Sequence, residues 1–172
     1  MNRVPLLITE SGARIGQSKA IERYLAKRYD LVGTSPEEEA IIDCIAENVR
    51  DIKEKWGKIR AIGGMMNKQS EEKEAAMKKW FEEGELADWL KKLELSLPGL
   101  NKATTGYAVG NKLSYADLCI WNLLSDTFEE KHKVFVHKAL QDSCPHLTSI
   151  VSRVSELPSL RSWLSSRPVT MF

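Results

Sequence analysis

Residues 16–29 read GQSKAIERYLAKRY, and this stretch decides the fold. A glycine and two small polar residues precede Ala20, Ile21, Tyr24 and Leu25, an apolar stripe at helical spacing. An amphipathic helix is therefore expected, with Ser18 as its N-cap. A helix start carries unpaired N–H groups and the positive end of the macrodipole, and a Ser hydroxyl with a Gln amide adds donors that suit a carboxylate. On the N-terminal side, Val4 to Ile8 is a short apolar run, Thr9 to Gly12 a turn cluster and Ala13 to Gly16 a second short strand. Together they predict a β-hairpin. Pro5 donates no backbone hydrogen bond, so it belongs at a strand start or an edge.

On the C-terminal side, Gly33 follows the helix and Pro36 opens the next one, after which the pattern is helical throughout. Ile45, Val49, Ile52, Trp56 and Ile59 recur at alternating steps of four and three, the seam of a long helix packed on another. Gly63 and Gly64 interrupt it. A second long helix is expected from about Ser70 to Leu95, with Trp80, Ala87, Leu90 and Leu93 inward and Lys and Glu outward. A two-stranded coiled coil is the rival for this pair, but the repeat stops at the glycines and further apolar helices follow, so a bundle is expected. Leu97 to Asn111 reads as a loop. Ser114 and Asp117 have the form of a capping box before the apolar run Leu118 to Leu124, which predicts a central, buried helix. Shorter helices are expected around Lys131–Leu140, Pro145–Ser155 and Pro158–Ser166. A lone hairpin is marginal in water, so it must lean on the helices or on a partner chain.

The chain has 172 residues, 42% hydrophobic and 28% charged, the balance of a folded globular protein. Its net charge of +1 leaves no basic field to recruit nucleic acid. No apolar run approaches the roughly 20 residues that cross a bilayer, and no charged-then-apolar leader opens the chain. Cys44, Cys119 and Cys144 form no C-x-x-C pair, which predicts buried or half-buried thiols in a reducing cytosol rather than disulfides or a zinc site.

Val4-Pro5-Leu6-Leu7, Gly16-Gln17-Ser18-Lys19-Ala20-Ile21-Glu22-Arg23-Tyr24-Leu25, the Ser114-Tyr115-Ala116-Asp117 box and the terminal Leu157-Pro158, Trp163-Leu164 and Arg167-Pro168 pairs resemble the cytosolic glutathione transferases. The match looks most like the sigma class, which includes haematopoietic-type prostaglandin D synthases. The resemblance implies a partial, ββα thioredoxin-like domain over residues 1–30 and the family's all-helical C-terminal domain over residues 36–172, a mostly α fold. It implies glutathione as co-substrate, a small hydrophobic electrophile as second substrate, a homodimer, a cytoplasmic location and a role in detoxification, with neither nucleic acid nor membrane as partner. In that family the proline after the valine is cis and the valine backbone pairs with the cysteinyl backbone of glutathione, which carries over to Val4 and Pro5. The Gln-Ser pair holding the γ-glutamyl carboxylate becomes Gln17 and Ser18. An acid on the first long helix reaches the partner subunit's glutathione amine, which places the role on Asp51, with Glu47 one turn away. Arg50 stands where some relatives carry an Asp of a metal-binding group, so no metal is expected.

The resemblance also carries a gap. The family's domain begins β-α-β-α before this point, and the chain opens at what would be its third strand. The strand with the thiol-activating Tyr, and the Trp and Lys that hold the glycyl end, would precede Val4. Tyr24, Tyr29, Tyr107 and Tyr115 fall in helices or loops of other roles, so the catalytic residue is unknown and conjugation is expected to be slow or absent, because the thiolate is the nucleophile. The alternative is a non-catalytic interaction module of the kind found in translation and synthetase complexes. Ser114 and Asp117 read as structural. His132, His137 and His146 read as solvated helix residues, and the five tryptophans as core.

Overall fold

The computed structural model describes residues 4–64, 70–97 and 106–168. Strands β1 (Leu6–Ile8) and β2 (Arg14–Gly16) pair antiparallel, Leu6 opposite Gly16 and Ile8 opposite Arg14. Gly12, at φ 82°, closes the turn with its N–H on the Thr9 carbonyl at 2.9 Å. Helix α1 (Ser18–Arg28) follows, then α2 (Pro36–Ala61), α3 (Glu71–Phe81), α4 (Glu85–Ser96), α5 (Tyr115–Asp126), a 3-10 turn (Glu130–His132), α6 (Lys133–Ser143), α7 (Pro145–Ser155) and α8 (Pro158–Ser166). The mostly helical architecture with a small two-stranded sheet is the one expected. Most of the Leu97–Asn111 loop lies outside the described residues.

Helix α5 is the axis. It packs on α2 on one side and on α7 on the other, and Ala116, Ile120 and Leu123 are wholly buried. The α2 seam faces it: Ile45, Val49, Ile52, Trp56 and Ile59 are all buried. The capping box is present, and Asp117 does more than cap: its carboxylate accepts from Ser114 N at 2.8 Å, Ser114 Oγ at 2.6 Å and Ala108 N at 2.6 Å. Ser35 and Ser70 cap α2 and α3 from their side chains.

The expected helix from Ser70 to Leu95 is two helices. Glu82, Glu83 and Gly84 break it, and Gly84 sits at φ 93°, a left-handed conformation that ends one helix and starts the next. Its Lys and Glu residues are not all outward: Lys73 and Glu94 are buried. Glu94 points across to α7 and accepts from the backbone N–H groups of His146 and Leu147, both at 2.9 Å, and meets His146 Nδ1 at 2.6 Å. Two histidines therefore depart from the solvated reading. His146 is paired with Glu94, and His132 is buried face to face with Phe81, ring centroids 4.3 Å apart; only His137 is exposed. Trp163 is 53% exposed, so it is not core; the Arg167 guanidinium covers it at 5.1 Å. Cys44 is exposed, unlike Cys119 and the buried Cys144.

Candidate functional site

The strand register places the Val4–Pro5 segment and the Gln17–Ser18 pair at the same end of the hairpin, because Leu6 lies across from Gly16. The Val4–Pro5 peptide is cis. Ser18 is not the N-cap but the first helical residue; Gln17 takes the cap position at φ 70° and ψ 118°, a region sparsely occupied by residues with a Cβ. The Gln17 carbonyl accepts from Ile21 N at 3.1 Å, yet among the described residues no side chain caps this end, and its first turn holds no acid. Both side chains are exposed. The result is a helix start with open N–H groups, a positive dipole end and two free polar side chains, able to hold a carboxylate.

Asp51 stands apart from this group, on an exposed face of α2. Ion pairs run down the two antiparallel helices, Lys27 with Glu39 at 2.5 Å and Arg23 with Asp43 at 2.9 Å. Arg23 also binds Glu47, whose other oxygen takes Arg50 at 2.7 Å. Glu47 is thus fully committed, while Asp51 makes no hydrogen bond or ion pair among the described residues. Of the two acids that the sequence leaves open, Asp51 is the free one.

A cleft of about 340 Å³ begins at Lys19, the residue after Ser18, and runs between α1, α2 and α5. Leu25, Leu31 and Leu118 make its apolar walls. The polar lining forms two groups. Lys19 pairs with Glu22 at 2.7 Å, and the Tyr115 hydroxyl donates to the same carboxylate. Lys53 donates to Asn122 Oδ1 at 2.5 Å. Burial pushes the Lys53 amine below its ordinary pKa and the Cys119 thiol above its own. Burial and the Glu22 carboxylate push the Tyr115 phenol upward, so it stays a neutral hydroxyl whose proton is committed to Glu22. Lys53 and Asn122 escape the sequence reading. Their signal is visible in retrospect: Asn122 is an amide inside an otherwise apolar helical run, and an inward polar group needs a partner.

Among the described residues no group of acids, histidines and cysteines is arranged to hold a metal ion, and no helix is long and apolar enough to cross a membrane.

Comparison with known proteins agrees with this architecture. The glutathione S-transferase C-terminal domain family model matches residues 57–167. Glutathione S-transferase 3 of Caenorhabditis elegans is 31% identical over 99% of the chain and 76% of its own length. The hematopoietic prostaglandin D synthase of Gallus gallus is 30% identical over 98% of the chain and 74% of its own length. The solved glutathione S-transferase from Ascaris lumbricoides superposes with a TM-score of 0.72 at 27% identity, over 99% of the chain and 77% of that structure. The chain belongs to the glutathione transferase family.

Proposed function

We propose that this member of the glutathione transferase family binds glutathione at the start of α1 and passes it, slowly or not at all within these 172 residues, to small apolar electrophiles held in the cleft between α1, α2 and α5. The observation that carries the reading is the uncapped α1 terminus, where Gln17 and Ser18 leave open N–H groups beside the Val4–Pro5 segment. The γ-glutamyl carboxylate takes those donors, and the Val4 backbone pairs with the cysteinyl backbone. Asp51, whose carboxylate has no partner among the described residues, reaches the glutathione amine of a second subunit. Conjugation is slow because the nucleophile is the thiolate and the tyrosines lining the cleft do not favour it. Tyr115 is bound to Glu22 with its pKa raised, and Tyr29 is 65% exposed. Glutathione is then the co-substrate and no metal is used. A sigma-class, cytosolic, detoxifying role is the reading in which these parts fit.

The chain is proposed to act as a homodimer. Val4, Leu6 and Ile8 are 94%, 49% and 58% exposed on a two-stranded sheet with an open edge, surface that a second copy would cover. Sedimentation at micromolar concentration should give a dimer, and a clean monomer would count against this. A second reading, a non-catalytic interaction module that keeps the fold, rests on the same commitment of Tyr115.

Calorimetric titration with glutathione, run beside a conjugation assay on 1-chloro-2,4-dinitrobenzene, separates these readings. Heat of binding that vanishes in Gln17→Ala/Ser18→Ala is the expected result. No heat at millimolar glutathione sinks the proposal, an unchanged affinity in the double variant means the site is elsewhere, and binding without turnover favours the module.

A further inference from the structure

Lys53, on α2, lines the cleft between α1, α2 and α5, and nothing in the glutathione reading uses it. Its amine has one neutral partner, Asn122 Oδ1 at 2.5 Å, and no ion pair among the described residues. A buried ammonium is costly unless an opposite charge meets it. The nearby acids are committed elsewhere. Glu22 holds Lys19 at 2.7 Å and accepts the Tyr115 hydroxyl, and Asp126 takes the Arg167 guanidinium on both oxygens, at 2.8 and 3.1 Å. Lys27, Lys55 and Lys112, by contrast, each meet a carboxylate at 3.0 Å or less.

An ammonium has three donors to satisfy, whereas a neutral amine can donate one N–H to Asn122 and keep its lone pair. Burial is the first cause that lowers the Lys53 pKa, and the Lys19 ammonium adds to it, while Cys119, Glu22 and Asp126 pull the other way. Burial also keeps Cys119, in the same lining, a thiol rather than a thiolate. The Lys53 amine is thereby the stronger nucleophile of the two.

We propose that Lys53 captures apolar aldehydes covalently: Leu25, Leu31 and Leu118 seat the alkyl chain, and the amine takes the carbonyl carbon as an imine. The nitrogen lone pair attacks the carbonyl carbon and a C–N bond forms. A proton passes from nitrogen to oxygen to give a carbinolamine, and water leaves as the C–O bond breaks. Nothing is oxidised or reduced. The cleft, of about 340 Å³, is within the range of about 300–1,000 Å³ typical of small-molecule sites, and it holds the two reactants together. The inference rests on the reading of this cleft as a seat for small apolar electrophiles and needs no glutathione.

The test incubates the whole chain with octanal and sodium cyanoborohydride, without glutathione, and locates the adduct by peptide mass spectrometry. A saturated aldehyde gives only a reversible hemithioacetal with Cys119, so the reduced product reports amines alone. One octyl group on Lys53 is expected, formed roughly tenfold or more faster than on any other lysine. Lys53→Arg, which keeps the charge and forms no imine, should remove it. Asn122→Asp puts a carboxylate beside the amine, so it should slow capture at neutral pH and move its pH profile upward. Gln17→Ala/Ser18→Ala should capture at the native rate. Labelling spread evenly over the lysines, or fastest on Lys19, overturns the assignment, as does a profile that Asn122→Asp leaves unmoved. The methyl resonances of Leu25 and Leu118 tell two failures apart. If 1-octanol shifts them while octanal leaves Lys53 unlabelled, the lysine chemistry alone is wrong. If neither occurs, the cleft is no apolar seat, and the reading it shares with the proposed function falls as well.

Discussion

At the scale of single residues, the most consequential side chains are buried and polar. Asp117 accepts from three donors that no water reaches, which is why it stays in place although burial raises its pKa. Asp117→Ala leaves those donors unmatched and should cost about 3 kcal/mol, measured by urea denaturation; a loss under about 1 kcal/mol would mean that water or a relaxed loop replaces it. His132 gives a pH signature. Its pKa is lowered first by burial and then by Lys131, so the folded chain takes up that proton less readily than the unfolded one. Its contribution is complete above the unfolded value of about 6.5 and is lost as pH falls through the lowered folded value. Calorimetry should show a drop in Tm between about pH 7.5 and about pH 5.5 that is smaller in His132→Phe. An equal drop in the variant would assign the effect to other groups. Asp117 was legible as a cap because its spacing from Ser114 is local. His132 was not, because nothing in a sequence of exposed neighbours tells that Phe81, far earlier in the chain, will stack on it.

At the scale of elements, helix starts differ in what closes them. Those of α2, α3 and α5 are closed by a serine and first-turn acids, whereas α1, like α6 and α8, has neither a side-chain cap among the described residues nor an acid in its first turn. Helix α7 is closed from outside by Glu94 of α4. Glu94→Ala should therefore destabilise by about 2–3 kcal/mol, since it frees two backbone donors and the His146 ring at once. Glu94→Gln keeps one of the two acceptor oxygens and turns an amide NH2 toward the other backbone N–H, so it should recover only part of that loss in the same denaturation series. Full recovery would show that a single oxygen is enough to hold α7. The division of the expected long helix at Gly84 is of the same order: the flanking residues all favour helix, and one glycine at φ 93° is enough to end it. Gly84→Ala, which meets no atom within 4 Å, should still cost on the order of 1 kcal/mol through the left-handed backbone alone, and an unchanged midpoint would show that the turn relaxes.

At the scale of the molecule, stability is unevenly spread. The hairpin offers half-exposed apolar residues, and α5 is enclosed by α2 and α7. Hydrogen exchange should find the β1 and β2 amides nearly unprotected and those of α5 exchanging only through global unfolding. Leu123→Ala, at a wholly buried position, should cost about 3 kcal/mol and leave a single transition by circular dichroism and fluorescence; a second transition would mean that the helices unfold in separate units. The helical order apart from the break at Gly84, the α2 seam, the buried α5 and the polar α1 start were determined by the sequence alone, because each rests on periodicity and capping within one or two turns. The cleft with Lys53 and Asn122, the freedom of Asp51, the cap that Glu94 lends to α7 and the stacking of His132 on Phe81 were decided only by the tertiary structure. Each joins groups far apart in the chain, and which distant polar atoms meet depends on the crossing of packed helices, which local patterns do not encode.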